Sequence, residues 1–166
     1  MTSSFSMKSI LLALTFVLSF SPAVEAQDLS KGFDAWRRGD YASALRVFQP
    51  LAEQGNAEAQ LNLGLMYASG KGVPRNYSSA EKWYGKAAEQ GNGVAQFNLG
   101  RMYDEGRGVP QDYAEAYIWY SLAVSSGQLV VEQLRDRMAA KLTRDQLGDA
   151  QREARMRWRR IQARKK

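Results

Sequence analysis

From residue 57 onward, small and apolar side chains return every three or four positions. Ala59, Leu63, Met66 and Tyr67 form one such stripe, and Ala80, Trp83, Tyr84 and Ala87 form the next. That spacing places each set on one face of a helix and predicts two helices in succession. Gly70 and Gly72 end the first, because glycine accepts the positive-φ position at a helix C-terminus. Pro74 then blocks continuation, and Gly91 ends the second helix. Gly64 lies inside the first helix, where glycine costs about 1 kcal/mol against alanine. Its presence there predicts close approach by the neighbouring helix, and Ala80 and Ala87 permit the same.

The pattern then repeats. Residues 57–92 overlay residues 93–128 without a gap, with 17 of 36 positions identical. A shorter copy lies upstream, where Tyr41, Ala44, Phe48, Leu51 and Gly55 fall in register with Tyr77, Ala80, Tyr84, Ala87 and Gly91. In that copy Gly39-Asp40 replaces the longer Gly-x-Gly-Val-Pro loop. A fixed period in this size range predicts a stacked solenoid. Beyond the repeats, Val131, Leu134, Met138 and Leu142 make a further stripe, and Leu147, Ala150, Ala154, Trp158 and Ile161 make the last. Thr143 with Gln146 reads as a capping box that starts the final helix. The second helix of repeat three is also more apolar, with Tyr117, Ile118, Leu122 and Val124 where repeat two has Glu81, Lys82, Lys86 and Ala88. A solenoid end needs cover, so residues 129–161 are expected to cap that changed face. The expected chain is all-α, about eight helices in four antiparallel pairs.

The first 26 residues follow a different pattern. Lys8 precedes an apolar run from Ile10 to Phe20, then Pro22, then Val24-Glu25-Ala26. A basic start, a short apolar stretch and small residues in that order predict a secretory signal peptide, with the mature chain beginning at Gln27. The run is too short to cross a hydrocarbon core, which needs about 20 apolar residues. The expectation is therefore a periplasmic or secreted protein with no membrane span after cleavage. The remaining length, roughly 140 residues, suits one domain.

Composition narrows the chemistry. The chain has no cysteine and no histidine. That removes disulfides, thiolate metal sites and a cysteine nucleophile. It also removes the usual general base and every Ser-His or Cys-His pair. Asp104 and Glu105 are adjacent and point to different sides of a helix, and the Gly-x-Gly segments lead into Val-Pro rather than a phosphate-binding helix. The expectation is no enzyme, no metal and no cofactor. The net charge of +6 is concentrated at the end. Arg152, Arg155, Arg157, Arg159, Arg160, Arg164, Lys165 and Lys166 stand there with one acid, Glu153, while residues 27–151 sum to −1.

The units Ala59-Gln-Leu-Asn-Leu-Gly-Leu-Met-Tyr, Gly70-Lys-Gly-Val-Pro and Ala80-x-x-Trp83-Tyr84-x-x-Ala87-Ala88-x-x-Gly91, with their copies at 95–127, closely resemble Sel1-like repeats, a branch of the tetratricopeptide-type helical repeats. Residues 28–56 look closer to an ordinary tetratricopeptide unit. The resemblance implies a right-handed superhelical solenoid of antiparallel helix pairs that binds proteins or peptides. It divides the chain into 1–26, three repeats (28–56, 57–92, 93–128) and a capping segment, 129–166. It also implies that inward positions of the first helices line a concave groove. These would be Phe33, Trp36 and Arg37 in the first copy, Leu61, Asn62 and Leu65 in the second, and Phe97, Asn98, Arg101, Asp104 and Glu105 in the third.

Seven of these positions have a plainer explanation beside the functional one. Leu61 and Phe97 suit inter-repeat core, and Arg101, Asp104 and Glu105 suit a solvated face. Asn62 and Asn98 are identical in both copies, which favours a structural hydrogen bond. Trp83 and Trp119, at helical spacing beside alanines, read as core rather than a stacking platform. The basic tail is either electrostatic docking to an anionic envelope surface or a cap whose cations complement a helix dipole, a contribution of about 0.3–1 kcal/mol. Positions identical between copies serve what the copies share, and those that differ are free to serve a ligand. The leading expectation is an exported scaffold that binds a protein or peptide in its groove, with no nucleic-acid partner. The alternatives are a peripheral envelope protein docked through its basic tail and an accessory to a cell-wall enzyme.

Overall fold

A computed structural model describes residues 22–165, with side chains from Asp28 onward. The apolar run before Pro22 and the terminal Lys166 lie outside the described residues. The helices are α1 (Pro22–Arg37), α2 (Tyr41–Glu53), α3 (Ala57–Ser69), α4 (Tyr77–Glu89), α5 (Gly93–Glu105), α6 (Tyr113–Ser125), α7 (Glu132–Ala139) and α8 (Arg144–Arg164). A single 3₁₀ turn, Leu129–Val131, precedes α7.

The helix starts share one chemistry. Asp40, Asn56, Asn76, Asn92 and Asp112 each accept a backbone N–H of the first turn through the side-chain oxygen. Such caps satisfy donors that the helix itself leaves open. Thr143 and Gln146 form the reciprocal capping box at α8. Gly70 (φ 73°) and Gly106 (φ 67°) close α3 and α5 in the left-handed conformation. Gly72 and Gly108 serve the stack: a β-carbon would lie 2.8 Å from the Tyr41 carbonyl oxygen at Gly72 and 2.4 Å from Tyr77 Cβ at Gly108. Each Gly-x-Gly-Val-Pro loop therefore rests on the start of the preceding repeat's second helix.

Within each pair the helices meet across a glycine. An added β-carbon would lie 2.5 Å from Phe48 at Gly32, 2.5 Å from Tyr84 at Gly64 and 2.5 Å from Tyr120 at Gly100. The close approach expected at Gly64 is thus present three times. The repeats are joined by buried glutamines. Gln60 Nε2 donates to the Ala52 carbonyl at 3.0 Å, and Gln96 Nε2 donates to the Ala88 carbonyl at 3.0 Å. Their oxygens accept from Gln90 (2.8 Å) and from Ser126 (2.8 Å), which cap α4 and α6. Both glutamines, taken from water, are thereby paired through donor and acceptor, as their burial requires.

The C-terminal segment departs from the expected fourth pair. Leu129 lies one 36-residue period after Gly93, so α7 stands where a fourth first helix would begin. Yet α7 and α8 each make their main contacts with α6, not with each other. The reason is the apolar outer face of α6. Ile118 and Leu122 are buried there with Val131 and Met138 from the α7 side and Ala150, Ala154 and Ile161 from α8. Covering that face takes both helices. The end of α8 reaches back to the α4–α5 turn, where Ile161 and Lys165 border Gly91.

Candidate functional site

The first helices α1, α3 and α5 carry the positions expected to meet a ligand. The contact glycines set their register. Phe33, Leu65 and Arg101 each directly follow Gly32, Gly64 and Gly100, and so occupy one position in three copies. Phe33 and Leu65 are half-buried and Arg101 is exposed. Trp36, Ala68 and Asp104 form the next row, and Arg37, Ser69 and Glu105 the row beyond it.

At the α1 end the aromatic residues are braced. Phe33 meets Phe48 edge-on at 5.5 Å, and Trp36 meets Tyr41 edge-on at 5.0 Å. The Lys71 ammonium lies 5.3 Å from the Trp36 ring and 5.2 Å from the Tyr41 ring. Cations favour aromatic faces because of the ring quadrupole. Arg37 is exposed and paired with Asp34.

The middle of the face is more closed than the sequence suggests. Leu61 belongs to the core that joins α3 to α4 and α5, with Tyr84, Leu99 and Met102. It is not an open groove residue. Asn62 is also buried, and its amide donates to the Glu58 carbonyl at 2.7 Å within its own helix. That bond spends one of its two donors on structure. Asn98 occupies the same buried register.

At the α5 end, Phe97 packs on Tyr120 at 6.2 Å between ring centres, and the Arg101 guanidinium lies 5.8 Å from the Phe97 ring. Asp104 belongs to the cap rather than to an open face. Its carboxylate pairs with Arg137 at 3.0 Å and Lys141 at 3.8 Å, and its side chain is only 11% exposed. Glu105 pairs with Arg107 at 2.7 Å. The sequence reading missed Arg137 and Lys141, since Ala68 holds the Asp104 register in repeat two and leaves no periodic signal. It also missed the Tyr120 hydroxyl, which is buried without a hydrogen-bond partner among the described residues.

The charged end of the chain divides into two groups. Arg157 turns inward, donating to both Glu115 oxygens (2.8 and 2.9 Å) and to Glu153 (2.8 Å). Its guanidinium lies 5.2 Å from the Trp119 ring. Arg164 reaches Glu89 at 3.4 Å, and Arg152 pairs with Asp149. Arg155, Arg159 and Arg160 are exposed. A cleft of about 460 Å³ opens beside the contact of α8 with α6, lined by Tyr103, Trp119, Leu122, Arg157, Arg160 and Ile161.

The titration shifts belong to the fold. Burial pushes the Tyr84 hydroxyl up to about 12 and raises that of Tyr120 further. Burial also raises Tyr103, helped by Glu81 and Glu115. Hydrogen bonds from Ser43 hold Asp40 below its ordinary value, as suits a helix cap. Among the described residues no group of three or more acids could hold a metal ion, and no helix is long and apolar enough to cross a membrane.

Comparison with known proteins identifies the repeating units. The Sel1 repeat model matches residues 57–92 and 93–128. One similar solved structure is c5321, a protective antigen present in uropathogenic Escherichia coli strains and displaying an SLR fold, at 31% identity and a TM-score of 0.73. That match covers 84% of this chain and 32% of the other. Another is a Sel1 repeat protein from Oxalobacter formigenes, at 33% identity and a TM-score of 0.64, covering 68% of this chain and 46% of the other. The chain therefore spans less than half the length of either. No curated protein matches.

Proposed function

Because the chain carries Sel1 repeats in an all-α solenoid, a fold that generally mediates protein–protein interaction, we propose that it is a binding scaffold and not an enzyme. Its ligand is an extended segment of a partner protein lying along the first helices α1, α3 and α5. The observation that carries this reading is the row Phe33, Leu65, Arg101. One register changes from aromatic to aliphatic to cationic, while the glycine beside it stays constant in all three copies and Gln60 and Gln96 join the two longer ones in the same way. A framework held constant under a changing face supports a face selected for a ligand. That ligand presents apolar side chains toward Phe33 and Leu65 and an acid toward Arg101.

The reading places this interaction outside the cytoplasm, supported by the residue order in 1–26. Protein recovered from an envelope fraction then begins at Gln27. Protein beginning at its first methionine in the cytoplasm would overturn the placement.

Peptides selected against the protein from a random displayed library test the ligand. The expected selection pairs an acid with apolar residues. Arg101→Glu then weakens binding by about tenfold or more, since a like charge replaces a complementary one. Phe33→Ala weakens it similarly by removing a packed aromatic. Selected peptides that bind both variants as tightly as the parent protein would refute the site.

A further inference from the structure

The cations at the end of the chain do not form one patch. Arg157 is turned inward, Arg152 is paired with Asp149, and Arg164 is paired with Glu89. Arg155, Arg159 and Arg160 are exposed and have no acidic partner among the described residues. At about 100° per residue, Arg152, Arg155, Met156 and Arg159 share the side of α8 away from Ala150, Ala154 and Ile161, with Arg160 at its flank. Met156 stands in the middle of this ridge, 52% exposed. No acid interrupts it. Glu153 lies toward Arg157, and Asp149, at the start of the ridge, is taken by Arg152.

We propose that this ridge docks the protein on an anionic phospholipid surface, with α8 lying along the head groups and Met156 entering between them. Guanidinium forks match phosphate oxygens in geometry and charge. Each unpaired arginine near such a surface raises the partition about fivefold. The exposed methionine selects lipid over nucleic acid. It gains by entering the boundary between head group and acyl chain, whereas a phosphate backbone offers it nothing to bury in. The ridge also has no aromatic ring on which a base could stack. The proposal rests on residues separate from the first-helix face, so either can fail alone.

The test is sedimentation of the full chain with phosphatidylcholine vesicles and with vesicles that also carry phosphatidylglycerol. Any contribution from the apolar N-terminal run appears on both, so the ratio between them reports the ridge. The expected result is a strong preference for the anionic vesicles that falls with salt. Arg155→Gln with Arg159→Gln lowers that preference about 25-fold, and Met156→Ala lowers it less. These side chains are exposed, and an unchanged helical melt shows that the variants fold. Arg38→Gln with Arg75→Gln changes the net charge equally and leaves the preference intact. Equal retention on both vesicle types would overturn the proposal. So would equal loss in the control pair, undiminished binding by the ridge variant, or displacement of the protein from vesicles by duplex DNA.

Discussion

The ring of Tyr120 lies against the backbone of Gly100, so close that a β-carbon there would sit 2.5 Å from Cδ1. The same contact joins Gly64 to Tyr84 at 2.5 Å, one repeat earlier. This joint fixes how near the two helices of a pair approach. Each aromatic ring fills the space that a side chain on the first helix would need.

Gly100→Ala is therefore expected to destabilise the protein by about 1–3 kcal/mol, the usual cost of forcing atoms into a filled core. Gly85 is the matched control. It lies inside α4, and an added β-carbon would meet nothing within 4 Å. Gly85→Ala is expected to gain roughly 0.5–1 kcal/mol from helix propensity alone. Denaturant melts of the two variants check the pair of opposite signs.

Tyr120 and Tyr84 also set the alkaline limit of stability. Burial raises both hydroxyls above the ordinary value of 10, Tyr84 to about 12. The unfolded chain begins to release these protons near pH 10 while the folded protein retains them. The stability is complete below pH 10 and is lost as pH rises from there through 12. Each tyrosine contributes a slope of about 1.4 kcal/mol per pH unit in that window. Melts across it check the slope, and either Tyr→Phe substitution should flatten it. At neutral pH, Tyr120→Phe is expected to raise stability by roughly 1 kcal/mol, because the buried hydroxyl it deletes has no partner among the described residues.

Arg157 holds α8 onto α6. It and Glu115 are 23% and 28% exposed, and the guanidinium spans both carboxylate oxygens. Arg157→Gln is expected to cost about 1.5–3 kcal/mol, the range for hydrogen bonds to charged groups. The double substitution with Glu115→Gln should cost less than the two singles summed, since each single leaves a half-buried group without its partner. A double-mutant cycle measures that coupling, and hydrogen exchange in α8 shows whether the helix loosens.

The repeat made the body of the fold legible. Gly64, Gly70, Pro74 and Gly91 mark ends and contacts through local chemistry that any position in the chain would obey, and the second copy confirms the reading. The cap was legible in its stripes, in the capping box of Thr143 with Gln146, and in the apolar face of α6 that it was expected to cover. Val131, Met138, Ala150 and Ile161 are buried as their spacing requires, but the stripes do not say how two helices share that face. Both pack on α6 instead of pairing with each other. The charged positions were the least legible. Asp104 reads as an open-face residue until Arg137 and Lys141 arrive from α7, a contact with no counterpart in repeat two. The inward turn of Arg157 did leave a trace, since it continues the stripe of Ala150, Ala154 and Ile161. Gln60 and Gln96 left one too, as identical polar residues in both copies, though the bonds they form cross between repeats.

The joint between repeats has a consequence for chain length. Gln96 binds Ala88 of the unit before it in the way Gln60 binds Ala52. A second copy of residues 57–92, inserted after Asn92, would find the same carbonyl waiting and offer the same one onward. The cap would notice no change, because the inserted unit would again present Glu89 and Gly91 to the end of α8, and α5 and α6 would follow as before. The array is thus open to growth at its middle and closed at its end. A lineage could lengthen its reach by duplication without redesigning a single junction.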